Sequence, residues 1–149
     1  MYQQIAKHQI RQGYANISRG NFDVLLKQFS PHVKFCFSGD HAMGGELRNR
    51  ESVRQWFERV HRLFPGLQIQ ADRIFVSGLP WDMTVTVEFT VCDTLPDGKR
   101  YQNQGIQVVR IQWGQVIEDY LIEDTQVLVG ILHHLAELGV AEATAAPIQ

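Results

Sequence analysis

The chain has 149 residues, of which 44% are hydrophobic and 20% charged, which is typical of one compact domain with a substantial core. Its formal net charge of -2 gives no overall attraction to nucleic acid or anionic lipid, so we expect neither as a partner. No apolar run approaches the ~18 residues that span a bilayer, and the first residues lack the apolar core of a signal peptide. We therefore expect no membrane partner and a cytoplasmic protein.

The first part of the chain predicts two helices. Apolar residues on one face predict a first helix over residues 3–18; they are Ala6, Ile10, Tyr14 and Ile17. Asn21 is suited to cap a second, short helix, whose apolar residues extend to Phe29 and which ends before Ser30-Pro31. The second helix is therefore expected to end where proline removes a backbone donor.

The next segment predicts a strand, a loop and a third helix. Alternating apolar residues indicate a strand over residues 33–38, and the glycine-rich residues 39–45 are expected to form a flexible loop. Asn49 is placed to cap a third helix that ends at Pro65-Gly66. Its apolar stripe consists of Val53, Trp56, Phe57, Val60 and Phe64.

The second half predicts a sheet and a last helix. Four strands over residues 67–77, 81–93, 100–113 and 115–124 are separated by connections short enough to require antiparallel neighbours. Thr125, or Asp124 before it, is placed to cap a final helix that ends at Gly139. We expect residues 1–139 to form a single α+β domain, with helices on one face of a curved antiparallel sheet, and residues 140–149 to form an arm or frayed tail.

Four motifs occur in an order that resembles a known family. They are Gly20-Asn21, Trp56-Phe57, Phe64-Pro65-Gly66-Leu67 and the segment from Arg110 to Glu118. The chain resembles the SnoaL-like polyketide cyclases and ketosteroid isomerase-like proteins of the nuclear transport factor 2-like superfamily. The resemblance covers nearly the whole chain and implies a cone-shaped, cystatin-like roll.

The resemblance also implies a chemistry. Members of known activity enclose a mostly apolar pocket in which carboxylates move protons, and burial raises the pKa of such groups. It suggests a cofactor-free isomerase or cyclase acting on a small apolar carbonyl compound, or on a related aromatic ligand. Three positions that carry ionisable groups in the family hold Phe37, Gln107 and Leu121 here. The alternative is a non-catalytic module of the same fold that binds a ligand or a protein.

Asp119 is the leading candidate for acid/base catalysis. It lies on the same face of its strand as Leu121, one pleat away. The alternative is an ion pair or a hydrogen bond to a neighbouring strand. Asp40 and His41 form a second candidate, because a carboxylate can orient an imidazole for general base work; the alternative is a solvated loop. Glu123 shares the face of Asp119, but its place near the strand end suggests solvent exposure.

Six further residues are expected to bind the substrate. Tyr14, Asn103 and Gln107 offer hydrogen bonds to a ligand oxygen, whereas Phe37, Trp56 and Leu121 offer apolar contacts. The alternative for Tyr14 and Trp56 is an ordinary core position. No HExxH motif or Cys/His cluster is present, so we expect no metal site. Apolar residues on the outer face of the sheet, such as Tyr120 and Ile122, suggest a homodimer.

Overall fold

The computed structural model describes residues 1–149 and contains four α-helices, six β-strands and a short 3-10 helix. The helices are α1 (Tyr2–Ser18), α2 (Phe22–Leu26), α3 (Arg50–Leu63) and α4 (Thr125–Glu137). The strands are β1 (Phe29–Phe37), β2 (Gly45–Leu47), β3 (Gln68–Leu79), β4 (Asp82–Thr94), β5 (Arg100–Gln112) and β6 (Gln115–Glu123). The 3-10 helix is Ala141–Thr144.

The strands form one sheet in the order β2-β1-β6-β5-β4-β3. The run from β3 to β6 is the expected antiparallel meander, with Val87 opposite Gln107 and Gln107 opposite Leu121. Strand β1 pairs with β6 in the parallel direction, so that Phe35 lies opposite Asp119. The α+β fold is confirmed, and the sheet is mixed because β1 reaches β6 across the fold rather than through a hairpin.

The core lies between the helices and the inner face of the sheet. Strand β4 alternates buried with partly exposed residues; its buried apolar residues are Val85, Val87, Phe89 and Val91. Helix α3 contributes the buried stripe Val53, Trp56, Phe57, Val60 and Leu63. The Asn49 side chain accepts a hydrogen bond from the Ser52 backbone nitrogen at 2.8 Å, which caps α3 as its sequence predicts.

Two element boundaries differ from the prediction, and one of the two candidate caps of α4 is selected. Phe29 begins β1 instead of ending α2, and Pro31 lies inside β1, where the pairing with β6 is irregular and a missing backbone donor is tolerated. The predicted loop 39–45 leads into β2, which pairs with the end of β1. Asp124, rather than Thr125, caps α4, because its carboxylate accepts a hydrogen bond from the Val127 backbone nitrogen.

The C-terminal segment packs on the domain. Ala143 is buried, and the Arg62 guanidinium donates two hydrogen bonds to the Glu142 carboxylate at 2.8 and 2.9 Å. Arg59 donates to the backbone oxygens of Ala42 and Ala146, at 2.9 and 2.8 Å. The segment thereby connects α3 to the loop that precedes β2. None of the helices is long and apolar enough to cross a lipid bilayer.

Candidate functional site

Two neighbouring cavities lie between the helices and the inner face of the sheet. The outer cavity has a volume of about 220 Å³ and lies between α1 and the β4–β6 strands. The inner cavity, of about 50 Å³, lies deeper, against α3 and β1. Both are lined mainly by apolar side chains. The side chains that line both cavities are Tyr14, Ile17, Phe57, Gln107 and Asp119.

The three polar residues shared by the cavities form one hydrogen-bonded chain. The Tyr14 hydroxyl donates to the side-chain oxygen of Gln107 at 2.7 Å. The Gln107 side-chain nitrogen donates to both carboxylate oxygens of Asp119, at 2.9 and 3.0 Å. Tyr14 comes from α1, Gln107 from β5 and Asp119 from β6, so only the folded chain assembles this group.

Asp119 is a buried carboxylic acid, with 4% of its surface exposed. Burial raises its pKa from 3.8 to about 7, although the hydrogen bond from Gln107 opposes the increase. Asp119 does form a hydrogen bond to a neighbouring strand, through Gln107 of β5, as the alternative to catalysis predicts. It forms no salt bridge. A carboxyl group with a pKa near neutrality is suited to accept and return a proton.

Tyr14 has a hydroxyl that stays protonated. Burial raises its pKa well above the ordinary value, and the nearby Asp119 carboxylate raises it further. A hydroxyl with a raised pKa stays protonated near neutral pH and can donate a hydrogen bond there. Tyr14 therefore brings a permanent donor to the boundary between the two cavities.

Glu123 forms a second polar cluster at the far end of the inner cavity. Its carboxylate accepts hydrogen bonds from the Tyr101 hydroxyl at 2.7 Å and from the Asn103 amide at 3.2 Å. Burial raises the pKa of Glu123 from 4.5 to about 7. Glu123 is half-buried rather than fully exposed, because Tyr101 covers part of its carboxylate. One sequence pattern points to this contact: Tyr101 and Asn103 are two residues apart on one strand, so both side chains face the inside of the sheet.

Asn103 does not line either cavity. Its amide nitrogen also donates to the backbone oxygen of Asp124 at 3.0 Å, and its side-chain oxygen accepts from the Gln104 backbone nitrogen at 2.8 Å. Its hydrogen-bonding groups are therefore used within the protein. Asn103 holds Glu123 and the start of α4 in place instead of facing a ligand in the cavities.

Asp40 and His41 are not brought to Asp119. Both line a separate depression of about 380 Å³ between their loop, α4 and the C-terminal segment. The Met43 backbone nitrogen donates to one ring nitrogen of His41, and the other lies 3.2 Å from the Ser38 backbone oxygen. Burial lowers the pKa of His41, which favours the neutral ring. The predicted catalytic pair therefore lies outside the cavities, with both imidazole nitrogens engaged.

The predicted apolar residues do line the inner cavity: Phe37, Trp56 and Leu121 all contribute to its wall. The Trp56 indole nitrogen donates to the backbone oxygen of Met43 at 2.7 Å, which fixes the ring in the core. The ring centroids of Phe37 and Trp56 lie 5.8 Å apart. Trp81, by contrast, is 48% exposed and does not belong to this wall.

Comparison with solved structures finds the same fold at low sequence identity. PrhC from Penicillium brasilianum NBRC 6234 is similar with a TM-score of 0.81 and 13% identity, over 96% of this chain and 95% of that one. An NTF2-like protein of unknown function from Burkholderia pseudomallei K96243 has a TM-score of 0.71 and 18% identity, over 83% and 94%. TerC, co-crystallised with polyporic acid, has a TM-score of 0.66 and 18% identity, over 84% and 92%.

A search of curated proteins found no match to this sequence. The model of the SnoaL-like domain family, however, matches residues 10–119. This match spans most of the chain, from α1 to the strand that carries Asp119, and it includes all three members of the hydrogen-bonded chain. The NTF2-like neighbours have the same curved sheet and helices. The protein belongs to the SnoaL-like domain family.

Proposed function

We propose that the protein is a cofactor-free isomerase or cyclase that acts on a small apolar carbonyl compound in the two cavities. The observation that carries this proposal is the chain Tyr14–Gln107–Asp119, which sets a carboxyl group of pKa about 7 beside a permanently protonated hydroxyl. Of the 17 residues around the outer cavity, 11 are hydrophobic, which favours an apolar ligand.

In this proposal Asp119 is the base and Tyr14 is the hydrogen-bond donor. The Asp119 carboxylate removes a proton from the carbon next to the substrate carbonyl, and the electrons of the broken C–H bond move onto the carbonyl oxygen. Tyr14 exchanges its hydrogen bond to Gln107 for one to that oxygen and so stabilises the enolate. An isomerase then returns the proton from Asp119 to another carbon, whereas in a cyclase the enolate carbon attacks a second carbonyl of the same molecule, whose oxygen takes the proton.

Exchange of carbon-bound protons tests the first step without knowledge of the natural substrate. Small apolar ketones that carry hydrogen on the carbon next to the carbonyl are incubated with the protein in deuterated water and followed by NMR and mass spectrometry. We expect protein-dependent deuterium uptake next to the carbonyl of a ketone. Asp119→Asn should lower its rate about 100-fold or more. Glu118→Gln is the matched control, because Glu118 lies on the exposed face of the same strand. An unchanged rate in Asp119→Asn excludes Asp119 as the base.

A non-catalytic binding module is the second candidate. It is supported by the non-ionisable residues at Phe37, Gln107 and Leu121, and by the hydrogen bonds through which Gln107 holds Asp119. Native mass spectrometry of the purified protein would detect a retained ligand. A bound carbonyl compound that shows no deuterium uptake in the presence of the protein would favour this candidate.

We also propose a homodimer formed through the outer face of the sheet. Ile106 lies opposite Ile122, and Val108 lies opposite Tyr120, so four partly exposed apolar side chains form one patch on β5 and β6. A continuous apolar patch is typical of an interaction surface. Size-exclusion chromatography should give a dimer that Tyr120→Glu converts to a monomer. A monomer at all micromolar concentrations of the unmodified protein would exclude this interface.

A further inference from the structure

Two tryptophans lie side by side at one end of the sheet. Trp81 belongs to the two-residue turn between β3 and β4, and Trp113 to the two-residue turn between β5 and β6. Their rings are stacked, with centroids 6.5 Å apart and planes inclined by 25°. They are 48% and 81% exposed. The pair is therefore an apolar surface that the core does not cover.

The turn itself does not explain the tryptophan at position 113. Trp113 has φ 50° and Gly114 has φ 79°, the positive values of a type I′ hairpin turn. The first position of such a turn favours asparagine, aspartate or glycine, and a bulky side chain is strained there. Asn-Gly would form this turn more easily, and the contact that the Trp113 indole gains in its place is the stacking on Trp81.

The register of the strands places the pair next to the outer cavity. Met83 and Ile111 lie opposite each other and line that cavity, as does Gly114. The Trp113 backbone nitrogen donates to the Trp81 backbone oxygen at 3.0 Å. This bond continues the hydrogen bonding between β4 and β5 beyond their last residue pair, Asp82 and Gln112. Trp81 and Trp113 each lie two residues beyond the pair of Met83 and Ile111, about 7 Å farther along the chain, and Trp113 directly precedes Gly114 of the cavity wall.

The size of the cavity makes this position important for a ligand. Cavities that enclose a typical small-molecule ligand have volumes of about 300–1,000 Å³. The outer cavity has about 220 Å³, and the inner cavity adds about 50 Å³. A ligand with its carbonyl at Tyr14 that extends past Gly114 would reach the two indoles, and more of a three-ring ligand than of a one-ring ligand lies at that distance from Tyr14.

We propose that Trp81 and Trp113 form an entrance platform, which stacks on the outer ring of a planar, multi-ring carbonyl compound whose oxygen lies at Tyr14. The platform selects long planar ligands over short ones, because only a long ligand reaches it. This inference rests on the proposed function and deepens it by naming residues that determine ligand shape. The contribution of aromatic stacking corresponds to a change in affinity of about two- to tenfold.

Two ketones of different length test the platform. Calorimetric titration would give the dissociation constants of 2-acetylanthracene, which has three fused rings, and of acetophenone, which has one. Trp113→Asn should weaken 2-acetylanthracene binding about two- to tenfold and leave acetophenone binding unchanged. Trp113→Phe should retain most of the binding. Because Asn-Gly suits a type I′ turn, Trp113→Asn should unfold at the same temperature as the unmodified protein or a higher one.

The outcomes separate the platform from the proposed function. If Trp113→Asn weakens both ketones equally, or neither, the platform is excluded while binding in the cavities stands. If neither ketone binds the unmodified protein, the proposed ligand class fails and the platform fails with it. A quenching of tryptophan fluorescence by 2-acetylanthracene that is as large in Trp113→Phe/Trp81→Phe as in the unmodified protein would also overturn the inference.

Discussion

Gln107 donates a hydrogen bond from its side-chain nitrogen to each carboxylate oxygen of Asp119, at 2.9 and 3.0 Å. Its side-chain oxygen accepts from the Tyr14 hydroxyl at 2.7 Å. One neutral amide thus connects a group of near-neutral pKa with a group that stays protonated. Although Gln107 cannot carry a proton itself, its contacts hold the proposed base, Asp119, and the proposed hydrogen-bond donor, Tyr14.

Replacing Gln107 with leucine should raise the pKa of Asp119. The Gln107 hydrogen bond stabilises the ionised carboxylate, and its loss leaves only the burial that favours the neutral acid. A titration of the Asp119 carboxyl carbon by NMR should show a midpoint above that of the unmodified protein. If the midpoint falls or stays the same, the hydrogen bond does not act on the ionised form.

Asp119 should make stability decrease as pH rises. Its pKa is about 7 in the folded chain and 3.8 ordinarily, so the folded state binds the proton more tightly. The stability from this proton is complete below pH 3.8 and is lost as pH rises through 7. The loss amounts to at most about 4 kcal/mol. Asp119→Asn lacks this dependence and should gain stability relative to the unmodified protein over that interval.

Urea unfolding at several pH values measures this difference. Glu118→Gln, on the exposed face of the same strand, should follow the pH dependence of the unmodified protein. Glu123, whose pKa is also raised to about 7, contributes a loss of the same sign in both proteins and cancels in the comparison. Parallel curves for Asp119→Asn and the unmodified protein would contradict the assignment.

Gly105→Ala should destabilise the protein, whereas Gly130→Ala should not. A Cβ atom at position 105 would lie 2.4 Å from the Ile122 backbone oxygen and 2.6 Å from the Phe89 ring. Such crowding costs about 1–3 kcal/mol. Gly130 lies in α4 with no neighbouring atom within 4 Å of the added Cβ, so alanine should stabilise that helix by about 0.5–1 kcal/mol. Thermal unfolding measures both; equal shifts would contradict the crowding.

Removal of residues 140–149 should lower the unfolding temperature more than Glu142→Gln does. The deletion uncovers the surface against which Ala143 is buried and removes the partners of Arg59 and Arg62. Glu142→Gln only weakens the ion pairs of Glu142 with the exposed Arg62 and the mostly buried Arg59, and it leaves Ala143 packed on the domain. Differential scanning calorimetry compares the two variants. A deletion variant as stable as the unmodified protein would mean that this segment does not stabilise the fold.

Much of the secondary structure follows from local patterns in the sequence. The stripe of α3, the cap at Asn49 and the alternation in β4 are properties of neighbouring residues, and they predict those elements to within a few residues. The short turn at Gly114 likewise predicts an antiparallel pair. Local patterns fail at Phe29. Its spacing is that of a helix, but it begins β1 because it pairs with β6, which is distant in the sequence.

The sequence alone determined that Asp119 and Leu121 share one face of their strand, because alternation depends only on the backbone. Only the tertiary structure decided that Tyr14 and Gln107 meet Asp119, and that Asp40 and His41 lie elsewhere. Both outcomes depend on how α1, β5 and the loop before β2 pack against one another, because that packing decides which side chains come within hydrogen-bond distance. The raised pKa of Asp119 is also decided by the tertiary structure, because the burial that raises it comes from residues far away in the chain.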